Sequence, residues 1–316
     1  MKYSETRAVV ETGFLTAVIM VLTIIGTNIP LMGFLSSIVV PTTVAVVGVR
    51  HGVRWSILAV IGSTIALSFL LSPMVALAEG LTFALPGALV GYGFSKHWGL
   101  GRLVGIPAVV ATVATVLQIV GGMYLLNIDY VGMWESVKSE AMKNVVDMYT
   151  SQGMTASQLQ EMTQSMQRQI EFIGRTLLTA CFAAMGILSY LTCRLTAMVL
   201  RRTGSMDRQL PGLSQWRMPV AVLYIYILGL LLMYWGDTRS IEWLSLVSLN
   251  MWWIGGLLLA LQGLACGWSL CKSYRLGPVL RTFLMAMLFV MQMTAVILGA
   301  LDILLDCRNR FAKRSE

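Results

Sequence analysis

Apolar residues along this chain come in blocks separated by short polar breaks. A helix needs about 20 mainly apolar residues to cross a bilayer. Nine blocks approach or exceed that length, at 8–26, 31–49, 55–71, 74–94, 103–126, 175–200, 218–235, 241–270 and 279–305. The breaks carry punctuation that suits them. Thr27-Asn28-Ile29-Pro30 separates the first two blocks, and Ser72-Pro73 the third from the fourth. Residues 1–7 are short and charged and feed straight into the first block, as a signal peptide would. No A-x-A-like site follows, so the block is expected to be a retained first helix.

One stretch breaks the pattern. Residues 127–174 are polar and read as two amphipathic helices. Val131, Trp134, Val137, Ala141, Val145 and Met148 recur at spacings of three or four, and so do Leu159, Met162, Met166, Ile170 and Ile173. Gln152-Gly153 suits a turn between them. Thr155 with Gln158 predicts a capping box at the start of the second. The expected architecture is therefore an all-α, polytopic helical bundle. Its parts are five spans in 1–126, an amphipathic helical insert in 127–174, four further spans in 175–305 and a basic tail in 306–316.

Composition agrees with this solvent. The chain has 316 residues, 57% hydrophobic and 12% charged, whereas soluble domains carry about 25% charged residues. The net charge of +8 lies in the short loops, which is the positive-inside pattern and not a nucleic-acid groove. With the N-terminus in the cytoplasm, the cytoplasmic loops hold Arg50 and Arg54, then Lys96 and Arg102. Next come Arg201, Arg202, Arg208 and Arg217, and after them Lys272, Arg275 and Arg281. The opposite breaks at 27–30 and 72–73 hold no Lys or Arg, and 236–240 holds only Arg239. This orientation puts the insert outside. The rule fails at the tail, because nine spans place Arg308, Arg310, Lys313 and Arg314 outside. Either the tail is an exception, or one late segment does not cross and the spans number eight.

Few residues can carry chemistry. An ionisable side chain inside a span costs roughly 2.5–3.5 kcal/mol on insertion scales, and such residues tend to face a cavity or a partner. Glu79 stands out, about six residues into the fourth span from its outer end, or about 9 Å deep at 1.5 Å per residue. Asn28, Gln118, Asn127 and Asp129 fall in or near the same outer half, so a small-molecule site could draw on them with Glu79. Asn127 and Asp129 could equally serve to end a helix in water. Glu11 is expected to pair with Arg7 one turn away. Gly87 and Gly91 form G-x-x-x-G, and Gly13 with Ala17, and Ala8 with Thr12 and Thr16, are small residues at helical spacing. All permit close helix contact, within the chain or with another. The five cysteines show no C-x-x-C and read as small buried groups. No P-loop, H-E-x-x-H or G-x-S-x-G motif occurs, and His51 and His97 are the two histidines. The expectation is a protein without catalytic residues, metal or cofactor.

The first third also carries a resemblance. Glu11-Thr12-Gly13-Phe14-Leu15-Thr16-Ala17 is followed by Pro30-Leu31-Met32-Gly33, then Pro41, then Gly48-Val49-Arg50-His51-Gly52. This resembles the YybS-like family of bacterial membrane proteins, whose length and polar insert after the fifth span it shares and whose molecular function is not established. The first six spans are more distantly similar to the S-components of energy-coupling factor transporters. That similarity implies a solute pocket open to the outside, and partners in the form of a coupling membrane subunit with ATPases. It also implies that the coupling subunit meets the Ala8, Thr12 and Thr16 face. S-components usually stop after six spans, and no vitamin-specific motif carries over. The expected function is thus a transport or solute-binding subunit in a bacterial cytoplasmic (inner) membrane. A structural or assembly scaffold for envelope proteins is the alternative, and a lipid- or envelope-modifying enzyme a weaker third.

Overall fold

The computed structural model describes residues 2–151, 153–207, 209–212 and 215–312. Gln152 of the expected turn, Arg208 of a basic loop, and Lys313 and Arg314 of the tail lie outside the described residues. Every regular element among the described residues is a helix. They are α1 (Lys2–Asn28), α2 (Pro30–His51), α3 (Val53–Leu70), α4 (Pro73–Ser95), α5 (Leu100–Leu125), α6 (Tyr130–Ser151) and α7 (Ala156–Arg202). Then follow α8 (Ala221–Thr238), α9 (Glu242–Ser273), α10 (Pro278–Val290), α11 (Gln292–Leu305) and α12 (Cys307–Ala312). Eight of them, α1 to α5 and α7 to α9, are long and apolar enough to cross a membrane.

Several boundaries follow from local chemistry. Pro30, Pro73 and Pro278 open their helices, where a missing N–H costs nothing. Ser72 caps α4 by accepting the Val75 N–H at 3.3 Å. Thr155 and Gln158 form the reciprocal capping box, with the Thr155 N–H donating to Gln158 Oε1 at 3.0 Å. Beyond that cap the structure departs from expectation. The second insert helix and the sixth span are one continuous helix of 47 residues. No proline interrupts 156–202, and Gly174 and Gly186 are carried within the helix, so the polarity change near position 174 marks a change of surroundings and not the end of an element.

The chain divides into two compact units, Met1–Arg168 with Ala180–Leu210, and Gln169–Thr179 with Pro211–Glu316. In the first, α2 lies against α1, α3 and α4. The Gly87/Gly91 pair is used internally. A Cβ on Gly87 would run into the Pro41 carbonyl, and one on Gly91 would stand 2.7 Å from the Ala45 oxygen. The core around this contact holds Val40, Val44, Ala45, Val90 and Phe94, all essentially without exposure. By contrast Leu31 is 84% and Phe69 83% exposed. An apolar interior with an equally apolar outside is what hydrocarbon as solvent requires.

Glu11 does not pair with Arg7. Its carboxylate meets the Arg50 guanidinium and stands 3.1 Å from His51 Nε2, both at the end of α2. Arg50 Nε also donates to Ser205 Oγ at 3.0 Å. The expected local pair yields because α2 brings a cation and an imidazole to the same carboxylate.

In the second unit α8 and α9 form an antiparallel pair, with Gly236 at Ser245, Gly229 at Trp252 and Gly255 at Tyr226. Asn250 on α9 holds the 169–179 stretch, donating to the Arg175 carbonyl at 3.0 Å and accepting from Thr179 Oγ1. The expected ninth span is not one helix. α10 and α11 meet at Met291 with a bend of 101°. Val290-Met291-Gln292 contains neither Gly nor Pro, so sequence gave no warning of the break.

Candidate functional site

α4 is not a uniform helix. Gly80–Ala84 forms a π-helical stretch, closed by the Leu85 N–H bonding back to the Gly80 carbonyl. Pro86 follows at once and supplies no N–H. A widened turn inside a spanning helix displaces backbone and side chains from their regular stations, and such stretches occur often at functional sites. Glu79 is the residue just before it and is partly buried. Thr82, inside the widened turn, is 7% exposed. Gln118 reaches over from α5. Its Nε2 donates to Thr82 Oγ1 at 2.8 Å and to the Ala78 carbonyl at 3.3 Å. The carboxylate of Glu79 has no ion-pair partner among the described residues.

Of the five residues proposed from sequence, the structure thus gathers two, Glu79 and Gln118, at one irregular turn. The others are occupied with helix ends. Asn28 is exposed and donates to the Ile24 carbonyl at 2.8 Å, at the end of its own helix. Asn127 takes a left-handed conformation (φ 50°) just past α5. Asp129 Oδ1 accepts the Gly132 N–H at 2.8 Å and caps α6. Sequence reasoning missed Thr82, which is one of many threonines in apolar helices and carries no signal of its own.

Next to Thr82 lies a cavity of about 20 Å³ lined in part by Ser37, Pro41, Thr82, Pro86, Pro107 and Ser189. Three prolines from α2, α4 and α5 line it. Each removes a donor and leaves the carbonyl four residues earlier without its usual helical partner. Some of the polar groups nearby find other partners. Ser189 Oγ donates to the Val104 carbonyl at 3.0 Å, and Cys193 Sγ to the Leu103 carbonyl at 3.6 Å. The free space suits one water, since a water needs roughly 10–15 Å³ by this measure. It does not hold a vitamin-sized solute, and Glu79 is not in its lining.

The expected partner face on α1 is corrected. Ala8 is 5% and Thr12 6% exposed, and Thr16 is half-buried opposite Gly62 of α3. That row of small residues is covered by the chain itself. The open face of α1 carries Val10, Gly13, Phe14, Ala17 and Val21 instead. The two small-residue rows lie only about 100° apart on the helix, and nothing in the sequence says which turns inward.

The second unit holds a polar cluster that the sequence reading passed over. Gln262 accepts the Met218 N–H at 3.0 Å and donates to Asp302 Oδ2 at 2.7 Å. Arg308 Nε donates to the same Asp302 oxygen at 2.8 Å. Gln262, Asp302 and Arg308 are 3%, 5% and 6% exposed. Asp302 lies in an apolar block just as Glu79 does, so the argument that singled out Glu79 applied equally to it.

An all-α bundle with eight apolar helices of spanning length, coated in exposed leucine, phenylalanine and valine, defines a multi-pass membrane protein. The chain belongs to the family described as Predicted membrane protein (DUF2232), which residues 17–304 match. It is also similar to the uncharacterized protein YybS of Bacillus subtilis (strain 168), 22% identical over 310 residues that cover 97% of this chain and 99% of the relative. That agrees with a bacterial membrane and a YybS-like layout over nearly the full length. No solved structure matches.

Proposed function

We propose that this chain is a non-enzymatic transport or solute-binding subunit of a bacterial cytoplasmic membrane, with its N-terminus in the cytoplasm and its ligand contacts at Glu79, Thr82 and Gln118. One observation carries the reading. An intramembrane carboxylate without an ion-pair partner among the described residues borders a π-helical turn to which a neighbouring helix bonds through the Gln118 amide. Irregular backbone at membrane depth is tolerated where it lines a cavity or is buried in protein. The present cavity takes one water, so a larger solute requires α4 to yield at Gly80–Ala84. The Gln118 bonds to Thr82 and Ala78 are what would have to open. Energy comes from partners or from an ion gradient that titrates Glu79.

The resemblance to S-components supports the same reading. A coupling subunit with ATPases would then meet the open face of α1 at Val10, Gly13, Phe14 and Ala17, since the Ala8 and Thr12 row is covered. The experiment is a thermal-shift screen of the purified protein against vitamins, amino acids and metal cations. The expected result is a stabilising solute whose effect disappears in Glu79→Gln while expression and monodispersity stay normal. A solute whose stabilisation survives Glu79→Gln, Thr82→Val and Gln118→Leu alike would remove the site.

A second reading, an envelope scaffold, has one specific observation in its favour. Among the described residues of α6 none is buried, and Val131, Met133 and Val137 are each 60% exposed. On that reading deletion of 130–170 is the harmful change, and Glu79→Gln is silent.

A further inference from the structure

We propose that α10 and α11 do not cross the bilayer but dip into one leaflet and return, so that the chain crosses eight times and both termini lie on the same side. The contacts between α9 and α11 fix their relative direction. The two helices touch at Gly263 and Gly299: a Cβ on Gly299 would stand 2.9 Å from the Gly263 backbone nitrogen, and one on Gly263 would run into the Ala295 carbonyl, one turn before Gly299. Past that contact on each helix, Asp302 faces the Cys266 thiol. Advancing from 263 to 266 on α9 therefore matches advancing from 299 to 302 on α11. The two helices run parallel. Parallel neighbours need a connection that carries the chain back, and α10 is the helix between them. It has 13 residues and α11 has 14, or about 20 Å each at 1.5 Å per residue. Neither spans a hydrocarbon core of about 30 Å. With the 101° bend at Met291, α10 enters from the end of α9 at Ser273 and α11 leads back to that same end.

The far end of α11 is fastened there. Asp302 is bonded to Gln262, which holds the Met218 N–H just before α8. Asp306 stands 3.4 Å from Arg217 Nη2, and Arg308 closes on Asp302. Residues 217 and 218 precede α8, at the end of the antiparallel α8–α9 pair where α9 runs on into the 273–278 loop. What covers the outer surface of this pair is lipid. Val279 is 83%, Val290 79%, Phe289 66% and Leu304 63% exposed, next to a spanning helix and with no polar face to offer water. The positive-inside exception then disappears. Arg308 and Arg310 join Arg50, Lys96, Arg201 and Lys272 on one side of the membrane.

The test uses the full chain in sealed right-side-out and inverted membrane vesicles with a membrane-impermeant maleimide. Separate variants carry Thr203→Cys, Ser240→Cys, Met291→Cys or a cysteine appended after Glu316. The wild-type protein gives the background from its own cysteines. The appended cysteine is expected to label in the same vesicle orientation as Thr203→Cys. Ser240→Cys should label in the opposite one, and Met291→Cys at least tenfold less than either. An appended cysteine that labels with Ser240→Cys, or a Met291→Cys that does so, overturns the proposal. An epitope tag on the otherwise unchanged C-terminus, read by protease digestion of the same vesicles, must report the same side as Thr203→Cys. A tag cut from the Ser240 side overturns it without any substitution in the fold.

Discussion

Glu79 and Asp302 lie well inside apolar helices of this protein, one in each unit, and their surroundings are opposite. Asp302 is 5% exposed and is bonded to a guanidinium at 2.8 Å and a carboxamide at 2.7 Å. Glu79 is partly open and has no cation partner among the described residues, and the Gln118 carboxamide gives its protons to Thr82 and Ala78. A saturated charge is part of the frame, because its bonds are already used. An unsaturated one at membrane depth is kept at a cost and is available to something else. The difference separates a frame carboxylate from the one proposed to bind a solute.

The largest expected effect breaks the frame. Asp302→Ala removes the carboxylate that the buried Arg308 bonds, and removing one member of a buried pair costs about 3–5 kcal/mol. Arg308→Ala should cost about as much, and the double variant less than the sum of the two. Thermal unfolding of detergent-solubilised protein measures all three. Single variants within about 0.5 kcal/mol of wild type, the usual spread for surface changes, would show that the pair is not structural.

Next comes the bond that joins α5 to the irregular turn of α4. Hydrogen bonds between membrane helices average about 0.6 kcal/mol and reach about 1.7 kcal/mol. Gln118→Leu is expected in that range, with a coupling to Thr82→Val in a double-mutant cycle. Zero coupling would mean that the amide does not hold the turn closed.

Much of this was legible in the chain. Blocks of apolar residues fix the spanning helices because hydrocarbon tolerates little else. Thr155 with Gln158 located a helix start, since reciprocal capping is local. Local patterns could not show which small-residue face of α1 turns inward, and the Glu11 pair went astray for the same reason. Its partners are 39 and 40 positions away, while Arg7 is four. The break at Met291 left no trace, as no breaker residue marks it. The π-helical turn is also a tertiary matter, although Gly80 and Pro86 border it. At the site, Glu79 was readable from the price of a charge in lipid, but its company was not. Asn28, Asn127 and Asp129 looked equally polar and are spent on helix ends.

A smaller effect sharpens the contrast at the membrane edge. Glu11, Arg50 and His51 form a partly exposed cluster, with side-chain exposures of 21%, 25% and 12%. Exposed pairs contribute about 0.2–1 kcal/mol, so Glu11→Gln should fall well below Asp302→Ala. Its effect should shrink as salt rises, because solvent-exposed charges are screened. Salt-independent loss matching that of Asp302→Ala would erase the distinction between edge and interior.

Glu79→Gln is the change for which stability and function are expected to part. The substitution keeps shape and hydrogen-bonding capacity and removes a charge that has no ion-pair partner among the described residues. Stability should therefore hold within about 0.5 kcal/mol or rise slightly, as happens when a strained functional group is made ordinary. Solute binding or uptake should be lost in the same variant. Glu79→Asp tests the distance, since it keeps the charge but withdraws it by one methylene. Partial binding in Glu79→Asp beside none in Glu79→Gln assigns the role to the charge. If Glu79→Gln instead melts as far below wild type as Asp302→Ala does, both carboxylates belong to the frame, and the site must be sought elsewhere in the first unit.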